Sequence, residues 1–113
     1  MEAAETPPGP RLIAGNLCID CEAHTAAIDG RALNLTHQEF ELLRRLVRRR
    51  DEVIDRCRLS LALWGNAGPR EFKRLTVVVS HLREKLAYAS PYRIESVRFR
   101  GYGFLCRQQA KGE

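Results

Sequence analysis

The chain has 113 residues, the length of one domain with a hydrophobic core of its own. Its apolar content of 44% is ordinary for a globular protein, and no apolar run approaches the roughly 20 residues of a membrane-spanning helix. Because residues 1–10 also lack the apolar segment of a secretion signal, we expect a cytoplasmic protein with no membrane partner.

The net charge of +5 is unevenly distributed along the chain. Residues 1–35 carry 2 Lys or Arg against 5 Asp or Glu, whereas residues 36–107 carry 16 against 8. Positive charge is therefore concentrated in the second part of the chain, as binding to nucleic-acid phosphates requires.

The N-terminal third is predicted to form an antiparallel sheet. Residues 1–10 contain three prolines and a glycine, which is typical of a flexible leader. Short apolar segments separated by turn signals follow over residues 11–35, and Asp29-Gly30 favours a two-residue hairpin turn. The predicted strands are Leu12-Ile13, Leu17 to Ile19, Thr25 to Ile28 and Ala32 to Leu35.

A capping box opens the first of three helices that are predicted over residues 36–88. In this motif the Thr36 hydroxyl accepts from the Glu39 amide, while the Glu39 side chain reaches back to the Thr36 amide. The expected buried stripe consists of Phe40, Leu43, Leu46 and Val47, with Leu42 beside it. The exposed side carries Arg44, Arg45, Arg48, Arg49 and Arg50. Most of these arginines are expected to favour solubility and the helix dipole rather than to contact DNA.

The second helix follows a short extended link, Val53-Ile54. Asp55 is the predicted N-cap, and the helix runs to about Trp64 with Leu59, Ala62 and Leu63 facing inward. Glycines and a proline over residues 65–69 end it.

The third helix is amphipathic and is expected to run to about Tyr88, before Ser90-Pro91. Its buried stripe, one face at period 3.6, is formed by Leu75, Val79, Leu82 and Leu86. Its other face is basic and capable of hydrogen bonding, and it contains Lys73, Arg74, Thr76, Val77, Ser80, His81 and Arg83. A helix of this build suits the major groove of DNA.

A basic hairpin over residues 93–106 is predicted to complete the domain, which spans residues 11–107 and leaves 108–113 as a tail. Ile94 to Phe99 is the first predicted strand, Arg100-Gly101 the turn, and Tyr102 to Cys106 the return strand. Sheet, three helices and hairpin together predict an α+β winged helix-turn-helix.

No nucleophile–base pair, phosphate-binding glycine loop or paired acidic site is evident, so the sequence favours a protein that is neither an enzyme nor dependent on a cofactor. His24, His37 and His81 share no ligand spacing. An alternative is a thiol or metal sensor built from Cys18, Cys21 and His24. Against it, Cys18, Cys57 and Cys106 occur in apolar segments and are expected to be small buried residues.

Five blocks in order resemble the winged-helix effector domains of OmpR/PhoB-type response regulators, which belong to two-component phosphorelay systems. The blocks are Gly15-Asn16-Leu17-x-Ile19-Asp20, Asp29-Gly30-Arg31-x-Leu33-x-Leu35-Thr36-x-x-Glu39-Phe40-x-Leu42-Leu43, Leu63-Trp64-Gly65, Val77-x-Val79-x-x-Leu82-Arg83-x-Lys85-Leu86 and Ile94-x-Ser96-Val97-Arg98-x-x-Gly101-Tyr102-x-Phe104. The resemblance runs from about Arg11 to Arg107.

The resemblance implies sequence-specific binding of double-stranded DNA, as dimers on direct repeats, with transcription regulation as the output. It assigns the base edges to Thr76, Val77 and His81, within a DNA-binding set that also contains Arg74. It assigns the phosphate backbone to Trp64, Lys73, Ser80 and Arg83, and the minor groove to Arg98 helped by Ser96, Arg100 and Tyr102. The loop from Gly65 to Phe72 matches a segment that touches RNA polymerase in relatives.

The chain also departs from the family pattern. It contains no phosphoacceptor receiver domain, which implies either a fragment or a standalone regulator without its own phosphorylation control. Val78, Ser80, His81 and Glu84 make the third helix less basic than is usual, so we expect weaker and less salt-sensitive binding. The alternative function is a protein-interaction module that docks on another regulator or on RNA polymerase through Val77, Val78 and Phe99.

Overall fold

The computed structural model describes residues 11–98 and 100–106. Its elements, in chain order, are β1 (Arg11–Ala14), β2 (Leu17–Asp20), β3 (Thr25–Ile28), β4 (Arg31–Ala32), α1 (His37–Arg48), β5 (Val53–Asp55), α2 (Arg56–Trp64), α3 (Pro69–Lys85), β6 (Tyr92–Val97) and β7 (Gly101–Cys106). A four-stranded sheet, three helices and a C-terminal hairpin confirm the predicted winged helix-turn-helix.

The first sheet is antiparallel throughout, in the order β1-β2-β3-β4. Asp29 and Gly30 both have positive φ, 53° and 81°, as a tight hairpin turn between right-twisted strands requires. The buried side chains of β2 and β3 alternate with more exposed neighbours, so one face of the sheet covers the core. That face supplies Ala14, Leu17, Ile19, Ala26 and Ile28.

The predicted capping box is present at the start of α1. Thr36 Oγ1 accepts from the Glu39 amide at 3.2 Å, and Glu39 Oε1 accepts from the Thr36 amide at 3.0 Å. The apolar stripe of α1, including Leu42, is buried as predicted. The helix thereby packs against both the first sheet and α3.

Asp55 caps α2 by accepting from the Cys57 amide at 3.1 Å, and the left-handed Gly65 ends it. The prediction that Ala62 faces inward is wrong, because Ala62 is exposed while Ser60 is fully buried. The buried side of α2 is centred between Leu59 and Ser60, and at 100° per residue Ala62 lies about 110° away from that centre, outside the buried sector. Cys57 is also exposed, contrary to the prediction that it is a small buried residue.

α3 buries Leu75, Val79 and Leu82, with Leu86 at its C-cap, as the stripe predicted. The helix ends at Lys85, three residues before the predicted Tyr88.

Tertiary hydrogen bonds explain the early end of α3. Asn16 donates through Nδ2 to the Tyr88 carbonyl at 3.0 Å and accepts through Oδ1 from the Ser90 amide at 2.8 Å. The Asn16 amide in turn donates to the Ser90 carbonyl at 3.0 Å. These bonds hold the chain after Leu86 against the β1–β2 turn in a non-helical path.

A second sheet, in the order β5-β7-β6, contains one strand more than predicted. The segment expected to be an extended link, Val53-Ile54, belongs to β5 and pairs with β7. The wing strands Tyr92–Val97 and Gly101–Cys106 pair with Val97 opposite Gly101, so the turn lies between these two residues. The prediction that Gly101 is a turn residue is therefore wrong: it is the first residue of a central strand.

Close backbone packing explains the glycine at position 101. A Cβ on Gly101 would lie 1.9 Å from the Ile54 carbonyl oxygen, a distance no side chain tolerates. The predictions for Phe99, the leader 1–10 and the tail 108–113 fall outside the described residues.

Candidate nucleic-acid interface

The exposed face of α3 carries most of the side chains that were predicted to bind DNA. Lys73, Arg74, Thr76, Val77, Ser80, His81 and Arg83 are all exposed. Val77 keeps 53% of its surface accessible although it is apolar. Val78 is half-buried and packs against the core, so Val77 and Val78 do not form a joint apolar patch.

Thr76 is oriented by its own helix. Its hydroxyl donates to the Phe72 carbonyl at 3.0 Å, one turn earlier. The oxygen lone pairs stay available as acceptors, while Val77 beside it offers only methyl groups. This pair combines one hydrogen-bond acceptor with one apolar contact on the same exposed turn.

Arg83 joins α3 to the wing. Its Nε donates to the Ile94 carbonyl at 3.1 Å, and its Nη2 donates to Ser96 Oγ at 2.8 Å. The guanidinium fork thus holds β6 at a fixed position beside the exposed face of α3. Sequence reasoning assigned Arg83 and Ser96 to DNA separately and missed that they contact each other, because they lie 13 residues apart in different elements.

Two cation–π contacts connect α2 to α3. The Arg74 guanidinium lies 4.7 Å from the Trp64 ring centroid, and that of Arg56 lies 4.1 Å from the Phe72 ring. Trp64 Nε1 is buried and has no hydrogen-bond partner among the described residues. In this arrangement the Trp64 indole N–H does not reach the surface, although the family resemblance assigned Trp64 to the phosphate backbone.

The β6–β7 hairpin carries two exposed cations. Arg98 and Arg100 are exposed on the two sides of the β6–β7 turn. Tyr102 is half-buried against the core and pairs with Ser96 across the hairpin. The wing residues that the sequence singled out therefore divide into two exposed arginines and a tyrosine that also has a packing role.

The arginines of α1 differ from those of α3 and the wing. Arg44 and Arg45 bind Glu41 Oε1 at 2.6 and 2.5 Å, and Arg49 binds Glu52 at 3.1 Å. Burial raises the pKa of Glu41, but hydrogen bonds and charge from Arg44 and Arg45 outweigh it and hold that pKa at about 2. These three arginines thus pair with acidic side chains of α1 and of the segment after it, which fits the expectation that most α1 arginines do not contact DNA.

An ion pair also ties α3 to the cap of α1. Lys85 Nζ donates to Glu39 Oε1 at 2.6 Å and to the Asn34 carbonyl at 2.8 Å. The Glu39 side chain is only 5% exposed, and that of Lys85 is 35% exposed. Burial raises the pKa of Glu39, but the hydrogen bonds from Lys85 and Thr36 and the charge of Lys85 together lower it by more, so the net shift is downward.

The structure brings two of the histidines together. His24 and His37, which the sequence left unrelated, lie with Glu41 in a group whose ligand atoms are within 4.8 Å of one another. Cys18 and Cys21 are not members of this group, so within residues 11–98 and 100–106 the predicted Cys18, Cys21 and His24 site is not formed.

No helix in that part of the chain is long and apolar enough to cross a membrane.

Comparison with known proteins gives a consistent result. The family described as "Transcriptional regulatory protein, C terminal" matches residues 30–104. The response regulator protein PmrA of Pseudomonas aeruginosa is 36% identical over 94 residues, which are 83% of this chain and 41% of PmrA. The transcriptional regulatory protein ResD of Bacillus subtilis is 36% identical over 88 residues, 78% of this chain and 37% of ResD. The chain thus spans about four tenths of the length of these curated relatives.

Solved structures agree with the sequence relatives. The DNA binding domain of CpxR from E. coli has a TM-score of 0.76 and 30% identity, covering 87% of this chain and 98% of that domain. The DNA-binding domain of Klebsiella pneumoniae RstA, in complex with the RstA box, has a TM-score of 0.76 and 29% identity, covering 86% and 98%. DrrB of Thermotoga maritima, an OmpR/PhoB homologue, has a TM-score of 0.70 and 26% identity, covering 84% of this chain and 44% of DrrB. The chain therefore belongs to the family of C-terminal domains of transcriptional regulatory proteins, of the OmpR/PhoB winged-helix type.

Proposed function

We propose that this domain binds double-stranded DNA sequence-specifically and regulates transcription in the cytoplasm. In the proposed complex α3 enters the major groove, and the β6–β7 wing reaches the adjacent minor groove. The observation that carries the proposal is the build of α3: one buried apolar stripe, an opposite face of exposed polar and cationic side chains, and a wing fixed beside it by Arg83. The solved complex of the relative RstA DNA-binding domain with the RstA box supports DNA as the partner.

Base contacts are proposed for the middle of the exposed face. Val77 would pack on a thymine methyl, Thr76 would accept a hydrogen bond through its free lone pairs, and His81 would bond a base edge or a phosphate. Their shared exposed side of α3 supports this assignment.

Phosphate contacts are proposed for the cations and the hydroxyl around that centre. Lys73, Arg74 and Ser80 would meet the backbone directly, and Arg98 and Arg100 would follow it into the minor groove. Arg83 already donates two hydrogen bonds within the protein, so its main role would be to hold Ser96 and the wing at the correct distance. Trp64 would contribute by supporting Arg74 through their stacking contact.

Two finer proposals concern partners. Pairing of two domains on direct-repeat DNA follows the family pattern. Contact with RNA polymerase would use the α2–α3 connection, where residues 65–68 form the loop and residues 69–72 already belong to α3.

The test is a genomic DNA selection with the purified chain, followed by fluorescence anisotropy on the selected duplex and on random duplex over a salt series. We expect Val77→Ala to reduce the preference for the selected sequence, by about 1 kcal/mol of discrimination at one base pair, because it removes an apolar contact. Arg74→Ala should weaken binding to both duplexes and lower the slope of log affinity against log salt by about one.

The matched control is Arg31→Ala, which removes the same charge from the exposed β4 strand of the net-acidic first sheet. Equal losses in Arg31→Ala and Arg74→Ala would refute the proposed face. Absence of any sequence preference in the intact chain would favour the protein-interaction module instead.

A further inference from the structure

Three side chains with metal-binding atoms converge where the β2–β3 turn meets the start of α1. One ligand atom from each of His24, His37 and Glu41 lies within 4.8 Å of the other two. His37 and Glu41 are one helical turn apart, so their side chains project from the same face of α1. His24 comes from the turn, where its backbone adopts a left-handed conformation with φ of 58°.

The two imidazoles are already aligned. Their ring centroids are 6.4 Å apart with an interplanar angle of 15°. The His24 ring also stacks on Phe40, at 4.9 Å and 17°, and Phe40 itself is only 3% exposed. The His24 ring thus packs on a buried ring, while both histidines remain exposed to ions from solvent.

Glu41 offers a half-buried carboxylate whose position is fixed by two arginines. Arg44 and Arg45 donate to it at 2.6 and 2.5 Å. Both arginine contacts are to Oε1. The second carboxylate oxygen has its own lone pairs, and a metal can share a carboxylate with a hydrogen-bond donor.

We infer that His24, His37 and Glu41 form a binding site for a divalent first-row transition ion, with Zn²⁺ as the probe. Imidazole nitrogen and carboxylate oxygen are ordinary zinc ligands, and three protein ligands leave the fourth position of the tetrahedron to water. Bonds of about 2.1 Å place tetrahedral ligand atoms about 3.4 Å apart. The ligand atoms, now within 4.8 Å of one another, would reach this separation by side-chain rotation.

The surroundings set the affinity. Arg44 and Arg45 repel a cation, and the positive end of the α1 dipole lies at His37. Binding should therefore be weaker than in a closed structural zinc site. An ion held there would tie the β2–β3 turn to α1, and so would stabilise the packing of the first sheet on the helices.

The experiment combines zinc titration by calorimetry with NMR of the histidine ring protons, using the whole chain. We expect one zinc per chain, and shifts of the His24 and His37 ring signals but not of His81. His24→Ala and His37→Ala should each weaken binding at least about tenfold, and Mg²⁺ at the same concentration should leave the signals in place. Removing a charge that repels the ion, in Arg44→Gln, should tighten binding.

Two control variants separate this site from adventitious binding. His81→Ala removes a histidine outside the site, and Cys57→Ser removes an exposed thiol, which is the alternative zinc ligand that the control tests. Both should bind zinc as the unmodified chain does. Unchanged affinity in His24→Ala and His37→Ala, or loss of binding in Cys57→Ser alone, would overturn the inference. Because none of these three site residues lies on the proposed DNA-binding face, failure here would not affect the proposed function.

Discussion

Replacement of Lys85 by methionine should destabilise the domain, because it leaves the Glu39 carboxylate without its partner. Lys85 donates to Glu39 at 2.6 Å and to the Asn34 carbonyl at 2.8 Å, and the Glu39 side chain is only 5% exposed. A hydrogen bond between charged groups contributes about 1.5–3 kcal/mol, and the partial exposure of Lys85 reduces that contribution. We expect the free energy of unfolding to fall by about 2 kcal/mol. With about 2.1 cal/mol/K of unfolding entropy per residue, Tm should fall by roughly 8 °C.

The pH dependence tests the cause of this loss. The pKa of Glu39 is lowered below its usual 4.5 in the folded protein, so the ion pair contributes its full stability above pH 4.5. That contribution disappears as the pH falls through the folded pKa. Urea unfolding of the unmodified chain and of Lys85→Met should therefore show a difference at pH 7 that shrinks in acid.

Two further variants make the result decisive. Lys73→Met removes an exposed lysine from the same helix and should cost under about 0.5 kcal/mol. Glu39→Gln keeps the capping-box geometry but removes the charge. The double-mutant cycle of Lys85→Met with Glu39→Gln should give a coupling energy above about 1 kcal/mol. A coupling near zero, or equal losses at pH 7 and in acid, would refute the ion-pair reasoning.

Three further predictions concern single residues. Gly101→Ala should lower the free energy of unfolding in urea by about 3 kcal/mol or more, because its Cβ would lie 1.9 Å from the Ile54 carbonyl oxygen. The control Gly30→Ala has open space around its Cβ and should lose only about 1–2 kcal/mol, because of its positive φ. Similar losses in the two variants would argue against close packing at Gly101. Thr36→Ala should cost about 1 kcal/mol in the same assay through loss of the α1 cap, and no loss would show that the cap adds nothing to stability. Arg83→Gln loses both the charge and the fork that holds the wing, so anisotropy should show about tenfold weaker binding to the selected DNA. The salt slope should stay unchanged if Arg83 acts only within the protein, whereas a slope lower by about one would identify Arg83 as a phosphate contact.

Local sequence patterns correctly predicted the features that neighbouring residues determine. The capping box at Thr36, the hairpin turn at Asp29-Gly30 and the buried stripe of α3 depend on neighbouring residues, and all three are present. The errors at β5 and at the end of α3 occur where distant contacts determine the structure. β5 is a strand because Gly101 allows the wing to approach it, and α3 ends early because Asn16 binds the segment that follows.

The candidate sites follow the same division. The 3.6-residue period of α3 separates its buried stripe from its exposed side, so the proposed DNA-binding face was readable from the sequence. The bond between Arg83 and Ser96 and the group formed by His24 and His37 link separate elements. Their sequence spacing carries no signal, and only the packing of the sheet on α1 and of the wing on α3 brings them together.

The hydrogen bonds of Asn16 connect the first sheet to the segment that follows α3. The β1–β2 turn binds the segment that follows α3 through the Tyr88 carbonyl and both backbone groups of Ser90, and Asn16 Nδ2 also reaches Asp29 at 3.1 Å. One asparagine thus connects the β1–β2 and β3–β4 turns of the sheet to the segment between α3 and β6. The sheet should consequently open together with the end of α3 as one cooperative unit. A force or a bound protein that displaces this sheet would therefore also displace the C-terminal end of α3, the helix proposed to bind DNA.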